Sequence, residues 1–115
     1  MDNNNTQNLV VYKKTTKNFE LNFTKDGSVL DITGWTIYFT VKEKITDSDD
    51  EAKIKKDITT HADPTNGITY ISLTSSDTNL EGSYSYDIKY KDDEGNSDIL
   101  VSGKITFKRA VTERE

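Results

Sequence analysis

Apolar and polar residues alternate along two long stretches near the end of the chain. The first stretch, residues 84–90, has an aromatic or aliphatic side chain at every second position. Successive strand side chains point to opposite faces, so this spacing predicts a strand with one buried face. Residues 99–107 repeat the pattern after a polar turn, except that Leu100 adds an apolar residue to the polar face. We expect an antiparallel hairpin whose second strand directs Ile99 inward and Leu100 outward.

Shorter alternating stretches precede this hairpin, and turn residues separate them. They cover residues 9–12, 19–23, 35–41, 68–73 and, more weakly, 52–58. Residues 9–12 are expected to form an edge strand, and the lysines at 13, 14 and 17 are expected to discourage edge-to-edge pairing. About seven short strands without a helical period predict an all-β fold, an immunoglobulin-like antiparallel β-sandwich.

One tyrosine near the end of the chain predicts how the two sheets are joined. Immunoglobulin-type sandwiches place a tyrosine at the corner before their sixth strand, and Tyr84 stands at that position. We expect its hydroxyl to bond main chain between residues 74 and 77, and Trp35 to pack beside Tyr86. The predicted core residues are Trp35, Ile37, Phe39, Tyr84, Tyr86 and Ile88.

The polar ends of the chain bound one domain of ordinary size. Residues 1–7 are Asn-rich and without period, so we expect a mobile arm. The sandwich then spans residues 8–108, and residues 109–115 form a charged tail.

Composition restricts the partners of this domain. The chain has 20 acidic and 15 basic residues, a formal net charge of -5, and no cysteine. A net acidic surface repels phosphate backbones, so nucleic acid is not an expected partner. The start of the chain has no apolar signal segment and no stretch is long enough to cross a membrane. We therefore expect synthesis in a cytoplasm, without secretion and without a membrane partner.

The titratable residues give little sign of chemistry. The acidic run of residues 47–51 supplies hard oxygen ligands of the kind calcium prefers, but it lacks the EF-hand spacing, and a solvated loop explains it equally. His61 is the only histidine, so a histidine triad is excluded. No carboxylate stands in an evidently apolar setting that would raise its pKa. We expect no enzyme, no metal and no cofactor.

Two tyrosines are candidates for an interaction surface. Tyr12 and Tyr38 fall on the predicted polar faces of their strands. Exposed aromatic rings stack on sugars or anchor protein interfaces, although single exposed aromatics are also ordinary. A carbohydrate- or surface-binding module is therefore an alternative function, and it requires these rings to form one platform.

Three blocks of the chain resemble small immunoglobulin-like domains of tailed-phage and prophage proteins, in particular the N-terminal domain of phage baseplate upper proteins. The first block runs from residue 19 to residue 42 and includes Ile32, Thr33 and Gly34 before the strand of residues 35–42. The second covers residues 66–78 and 82–88, and the third is the closing strand after residue 96.

The resemblance implies a virion structural protein, a tail or baseplate component or an adaptor, with no catalytic residue. It also implies synthesis in a bacterial host cytoplasm before incorporation into the virion. Its implied partners are other tail or baseplate proteins, or further copies of itself. The chain ends soon after the domain, so we expect it to lack a receptor-binding portion.

Overall fold

The computed structural model describes residues 5–112, and strands dominate it. The ten strands are β1 (Asn5–Thr6), β2 (Leu9–Tyr12), β3 (Lys17–Asn22), β4 (Thr24–Lys25), β5 (Ser28–Val29), β6 (Thr36–Lys42), β7 (Ile54–Ile58), β8 (Ile68–Leu73), β9 (Gly82–Lys91) and β10 (Ser97–Lys108). Two short 3-10 helices, Asp49–Glu51 and Pro64–Asn66, lie in connections. Seven of the ten strands have four residues or more, and the predicted all-β class is confirmed.

The strands form two facing sheets and one small hairpin. The large sheet has the order β7-β6-β9-β10, and β1 and β2 follow one another along β10 in parallel. The second sheet pairs β3 with β8, and β4 pairs with β5 beside it. An immunoglobulin-like sandwich likewise has the second and fifth main strands in one sheet and the third, sixth and seventh in the other.

Every second residue of β6 is buried in the core, as the sequence pattern predicts. Ile37, Phe39 and Val41 are fully buried, whereas the residues between them are only half-buried. The ring of Phe39 lies 6.3 Å from that of Phe19 on the second sheet and 6.0 Å from that of Tyr86 on β9. Side chains from both sheets thus interdigitate around β6, and apolar burial there stabilises the fold.

Trp35 lies at the other end of the core from Tyr86, so their predicted contact is wrong. Trp35 precedes β6, which pairs with β9 so that Ile37 faces Tyr90 and Val41 faces Tyr86. Six residues of strand span about 20 Å, which separates the two rings. Trp35 instead stacks on Tyr90 with 5.1 Å between ring centroids.

Tyr84 closes its corner on a nearer carbonyl than predicted. Its hydroxyl donates to the main-chain oxygen of Glu81 at 3.0 Å, and its ring meets Phe107 edge-on at 5.7 Å. The predicted bond to residues 74–77 is wrong, since that turn bonds within itself: Thr78 N–H donates to the Thr74 oxygen and Thr74 N–H to the Asp77 carboxylate.

A β-bulge in β10 reverses the predicted facing of two residues. Ile99 pairs with Lys89 but Val101 pairs with Ile88, so Leu100 is the extra residue. Leu100 packs against the core, and Ile99 shares the outer face with Lys89. Strict alternation breaks wherever two residues oppose one, so the sequence pattern assigned both side chains to the wrong face.

The described part of the predicted mobile arm is paired with β10. Asn5 and Thr6 form β1, and the Gln7 N–H donates to the Ser102 oxygen at 2.9 Å. Polar side chains hide this strand from a hydrophobic pattern, because main-chain groups make its bonds. Residues 1–4 of the arm, and residues 113–115 of the predicted tail, lie outside the described residues.

Gly103 permits this approach of the N-terminal strand. A β-carbon at Gly103 would stand 2.3 Å from the Gln7 oxygen, well inside contact distance. The Gln7 oxygen accepts a 2.6 Å hydrogen bond from the Tyr86 hydroxyl. The Lys104 N–H donates to the side-chain oxygen of Asn8. Burial raises the pKa of Tyr86, which keeps the donating hydroxyl protonated.

Candidate functional site

The outer face of the large sheet is concave, and we call the depression at its centre the outer-face hollow. Its volume is about 690 Å³, and its lining comes from β6, β7, β9, β10, the N-terminal segment and the connection after β6. The residues that characterise it are Tyr38, Lys42, Asp87, Lys89, Ile99 and Lys104.

Strand register places these side chains in rows across the hollow. Lys89 on β9 pairs with Tyr38 on β6 and with Ile99 on β10, so the three form one row. Asp87, two residues earlier on β9, pairs with Thr40 and Ser102 and forms the next row. The bulge that turns Ile99 outward therefore supplies the apolar end of a row that is otherwise polar.

Asp87 is a half-buried carboxylate at the centre of the hollow. Among the described residues, no group lies within hydrogen-bond or ion-pair distance of it, and the Lys42 ammonium instead binds Asp49 at 2.8 Å. Burial raises the pKa of Asp87 and the Asp49 charge adds to this, while Lys42 and Lys89 oppose it. The expectation that no carboxylate has a raised pKa is therefore wrong. An aspartate inside a strand, where this residue type is depleted, was the available signal.

We expect Asp87→Asn to stabilise the free domain at neutral pH. A carboxyl whose folded pKa is raised binds its proton more tightly in the folded than in the unfolded state. The stability that this proton binding contributes is therefore fully present below the pKa of the unfolded state, about 3.9. It is lost as pH rises through the pKa of the folded state. Because the group is partly solvated, the gain should stay below about 1 kcal/mol.

Urea melts of both proteins between pH 3.5 and 7.5 test this prediction. The difference in unfolding free energy should grow with pH and then level off, with Asp93→Asn, in the turn after β9 and outside the hollow, as the control. A variant less stable than the parent at pH 7 would show that Asp87 has a stabilising partner.

The acidic run of residues 47–51 uses its carboxylates within the fold. Ser48 and Glu51 form a capping box on the 3-10 helix, and Asp49 binds Lys42. The hydrogen bond from Lys42 lowers the pKa of Asp49. In residues 5–112 no cluster of three or more acidic, histidine or cysteine side chains has the arrangement of a metal site.

His61 links the two sheets. Its Nδ1 lies 2.9 Å from the hydroxyl of Thr69 on β8, and its Nε2 lies 2.8 Å from the Trp35 carbonyl before β6. A carbonyl only accepts, so Nε2 carries the proton that it donates to Trp35. Sequence reasoning placed this histidine in a polar loop, and it had no means of showing that both nitrogens satisfy buried groups.

The two candidate tyrosines lie on one face but far apart. Tyr38 lines the hollow, while Tyr12 is 54% exposed at the far edge of the sheet. Tyr38 pairs with Lys89 of β9. Tyr12 pairs with Lys108 of β10, which lies one residue beyond the pair that Phe107 of β10 forms with Gly82 of β9. Some seven to eight residues of strand amount to about 25 Å, so the rings do not form a common sugar-stacking platform.

Comparison with known proteins identifies the family of this fold. Residues 2–109 match the family model described as the BppU N-terminal domain, that of phage baseplate upper proteins. The chain belongs to this family. It therefore has a structural role in a phage, and the resemblance found in the sequence is confirmed. A search of curated protein sequences gave no significant match.

Solved structures with similar folds include the N-terminal domain of phage TP901-1 ORF48. It is 8% identical, with a TM-score of 0.55 over 87% of this chain and 83% of that chain, a likeness of fold alone. The extracellular domain of the voltage-gated sodium channel β4 subunit is 12% identical, with a TM-score of 0.41 over 96% of this chain and 98% of that one. Over residues 5–112, no helix has the length and apolarity to cross a membrane.

Proposed function

We propose that this domain is a non-enzymatic assembly module of a phage tail or baseplate, which acts through protein–protein contacts at the outer-face hollow. The observation that carries the proposal is the hollow itself, with its unpaired Asp87, in a member of a phage structural family. The partners are other tail or baseplate proteins, and the site of action is the virion.

The side chains of the hollow suit a protein partner. Tyr38 and Ile99 lie on either side of Lys89 in one row, and Ile45 at the rim is 79% exposed, so apolar surface is available for burial. Tyrosines with an apolar body and a polar tip are frequent hot spots of protein interfaces. Asp87 requires a donor once docking removes its remaining water, and a partner's lysine or arginine would supply it.

A non-enzymatic role agrees with the chemistry of the same residues. Both nitrogens of His61 are committed to Trp35 and Thr69. Asp87 is the carboxylate with a raised pKa, and among the described side chains no nucleophile or second catalytic acid lies within hydrogen-bond distance of it. In a site for covalent catalysis, the nucleophile and its general base generally lie at hydrogen-bond distance from one another.

Substitution of Tyr38 tests the proposed interface. We expect Tyr38→Ala to weaken binding to purified tail and baseplate proteins of the same phage at least tenfold, as removal of a hot-spot ring does. Affinities measured by biolayer interferometry would show this loss.

Tyr70→Ala is the matched control, because Tyr70 is 43% exposed on the outer face of the second sheet. It should leave the affinity within about twofold, which is near the scatter of neutral interface positions. Equal affinity for parent and Tyr38→Ala would place the interface elsewhere, and loss only with Tyr70→Ala would move it to the second sheet.

A further inference from the structure

The edge of the large sheet formed by residues 5–12, which we call the N-terminal edge, lacks the usual protection of an edge strand. It contains no charged residue and no proline. By contrast, β7 carries Lys55, Lys56 and Asp57, and β3 carries Lys17 and Glu20. β8 also has no charged residue, but its first residue, Ile68, forms an isolated antiparallel bridge with Asp63 on the side away from β3. Uncharged open edges are templates for pairing with another strand.

Main-chain groups along the N-terminal edge point to solvent at alternate residues. The N–H groups of Gln7 and Lys13 donate to β10, at 2.9 Å to Ser102 and 2.7 Å to Lys108. The main-chain groups of the odd-numbered residues between them therefore face β10, and the main-chain groups of Asn8, Val10 and Tyr12 face outward. The Thr15 hydroxyl donates to the Tyr12 carbonyl at 2.6 Å. Of the two outward main-chain groups of Tyr12, the N–H is therefore the one that remains for pairing.

Two apolar side chains accompany these groups. Val10 is 57% exposed and Tyr12 is 54% exposed, and both lie on the outer face of the sheet beside β10. The lysines expected to discourage pairing stand beyond the end of the edge. Lys13 binds Glu81 at 3.1 Å, and at Lys14 the chain turns, with φ 61°, toward the second sheet.

We infer that the N-terminal edge pairs with the same edge of a second copy, antiparallel about Leu9, to form a two-fold dimer; this rests on the proposed assembly function. This register sets Asn8 opposite the second copy's Val10 and Thr6 opposite its Tyr12. The two Val10 side chains are then diagonal neighbours and cover one another. A second copy fits this edge because like charges do not meet along it, whereas self-pairing through β3 or β7 would oppose charged residues.

Sedimentation equilibrium from 10 µM to 1 mM, a range of about a hundredfold that covers weak self-association, tests the inference. The parent should rise from 13.0 kDa toward twice that mass. Val10→Lys should raise the dissociation constant at least tenfold, while Val29→Lys should leave it within about twofold. Val29 is a matched control, since it is also 57% exposed but lies on β5. Melting temperatures of both variants establish that they are folded.

Charge complementation distinguishes this register from unspecific association. An equimolar mixture of Val10→Lys and Val10→Glu should give a heterodimer by native mass spectrometry, because opposite charges then meet diagonally. The amides of Val10 and Tyr12 should also exchange more slowly at high protein concentration. A monomer at 1 mM overturns the inference, as does a dimer that Val10→Lys leaves intact. Binding of tail or baseplate proteins through Tyr38 would survive either result.

Discussion

Phe39→Ala should lower the free energy of unfolding by about 3–5 kcal/mol, the usual cost of removing a fully buried aromatic ring. The Phe39 ring has no exposed surface and contacts Phe19 across the sandwich and Tyr86 on the adjacent strand. Its removal leaves a cavity between two sheets that close no further, because backbone pairing holds both. Domains of this size have about 5–15 kcal/mol in total, so urea unfolding should show a large shift.

Tyr38→Ala provides the control for Phe39→Ala on the neighbouring residue. Tyr38 is on the outer face of the same strand and only half-buried, so its loss should cost less than about 1 kcal/mol. Similar losses for both variants would mean that β6 faces the opposite way. The small cost also keeps Tyr38→Ala usable as a binding variant.

Alternation predicted the fold well where strands are regular. On β6 it identified Ile37, Phe39 and Val41 as buried, because a strand between two paired neighbours keeps its period. It failed at the bulge, where Leu100 is an extra residue and Ile99 before it faces outward, and at β1, where main-chain bonds alone define the strand. Side-chain patterns carry no information on either event.

The candidate site was less accessible to sequence reasoning than the fold. Tyr38 was identified because alternation assigns it to the outer face. Asp87 and Ile99 line the hollow because of the register in which β9 pairs with β6 and β10. Register depends on which strands are neighbours, and β6, β9 and β10 are brought together by long-range pairing. Spacing along one strand therefore predicted a polar face, but it gave no indication that neighbouring strands would half-bury one of its carboxylates.

Gly67→Ala should cost roughly 3 kcal/mol or more, because the position combines backbone strain with a steric clash. Gly67 has φ +74°, and a β-carbon there would stand 2.6 Å from the Phe23 oxygen and 2.7 Å from the Leu30 oxygen. The Phe23 oxygen is held by the Leu30 N–H at 3.0 Å, and the Phe23 N–H bonds the Gly67 oxygen at 2.9 Å. Relief of the clash therefore requires breaking main-chain bonds that join β3 to β8.

Gly27→Ala separates the two contributions at Gly67. Gly27 has a similar φ of +81°, but a β-carbon there meets nothing within 4 Å. Its substitution should show only the left-handed backbone cost of about 1–2 kcal/mol. The excess loss for Gly67→Ala in parallel urea melts then measures the clash. Equal losses would mean that the Phe23 and Leu30 carbonyls move away freely, and that this junction of the second sheet is less rigid than its hydrogen bonds indicate.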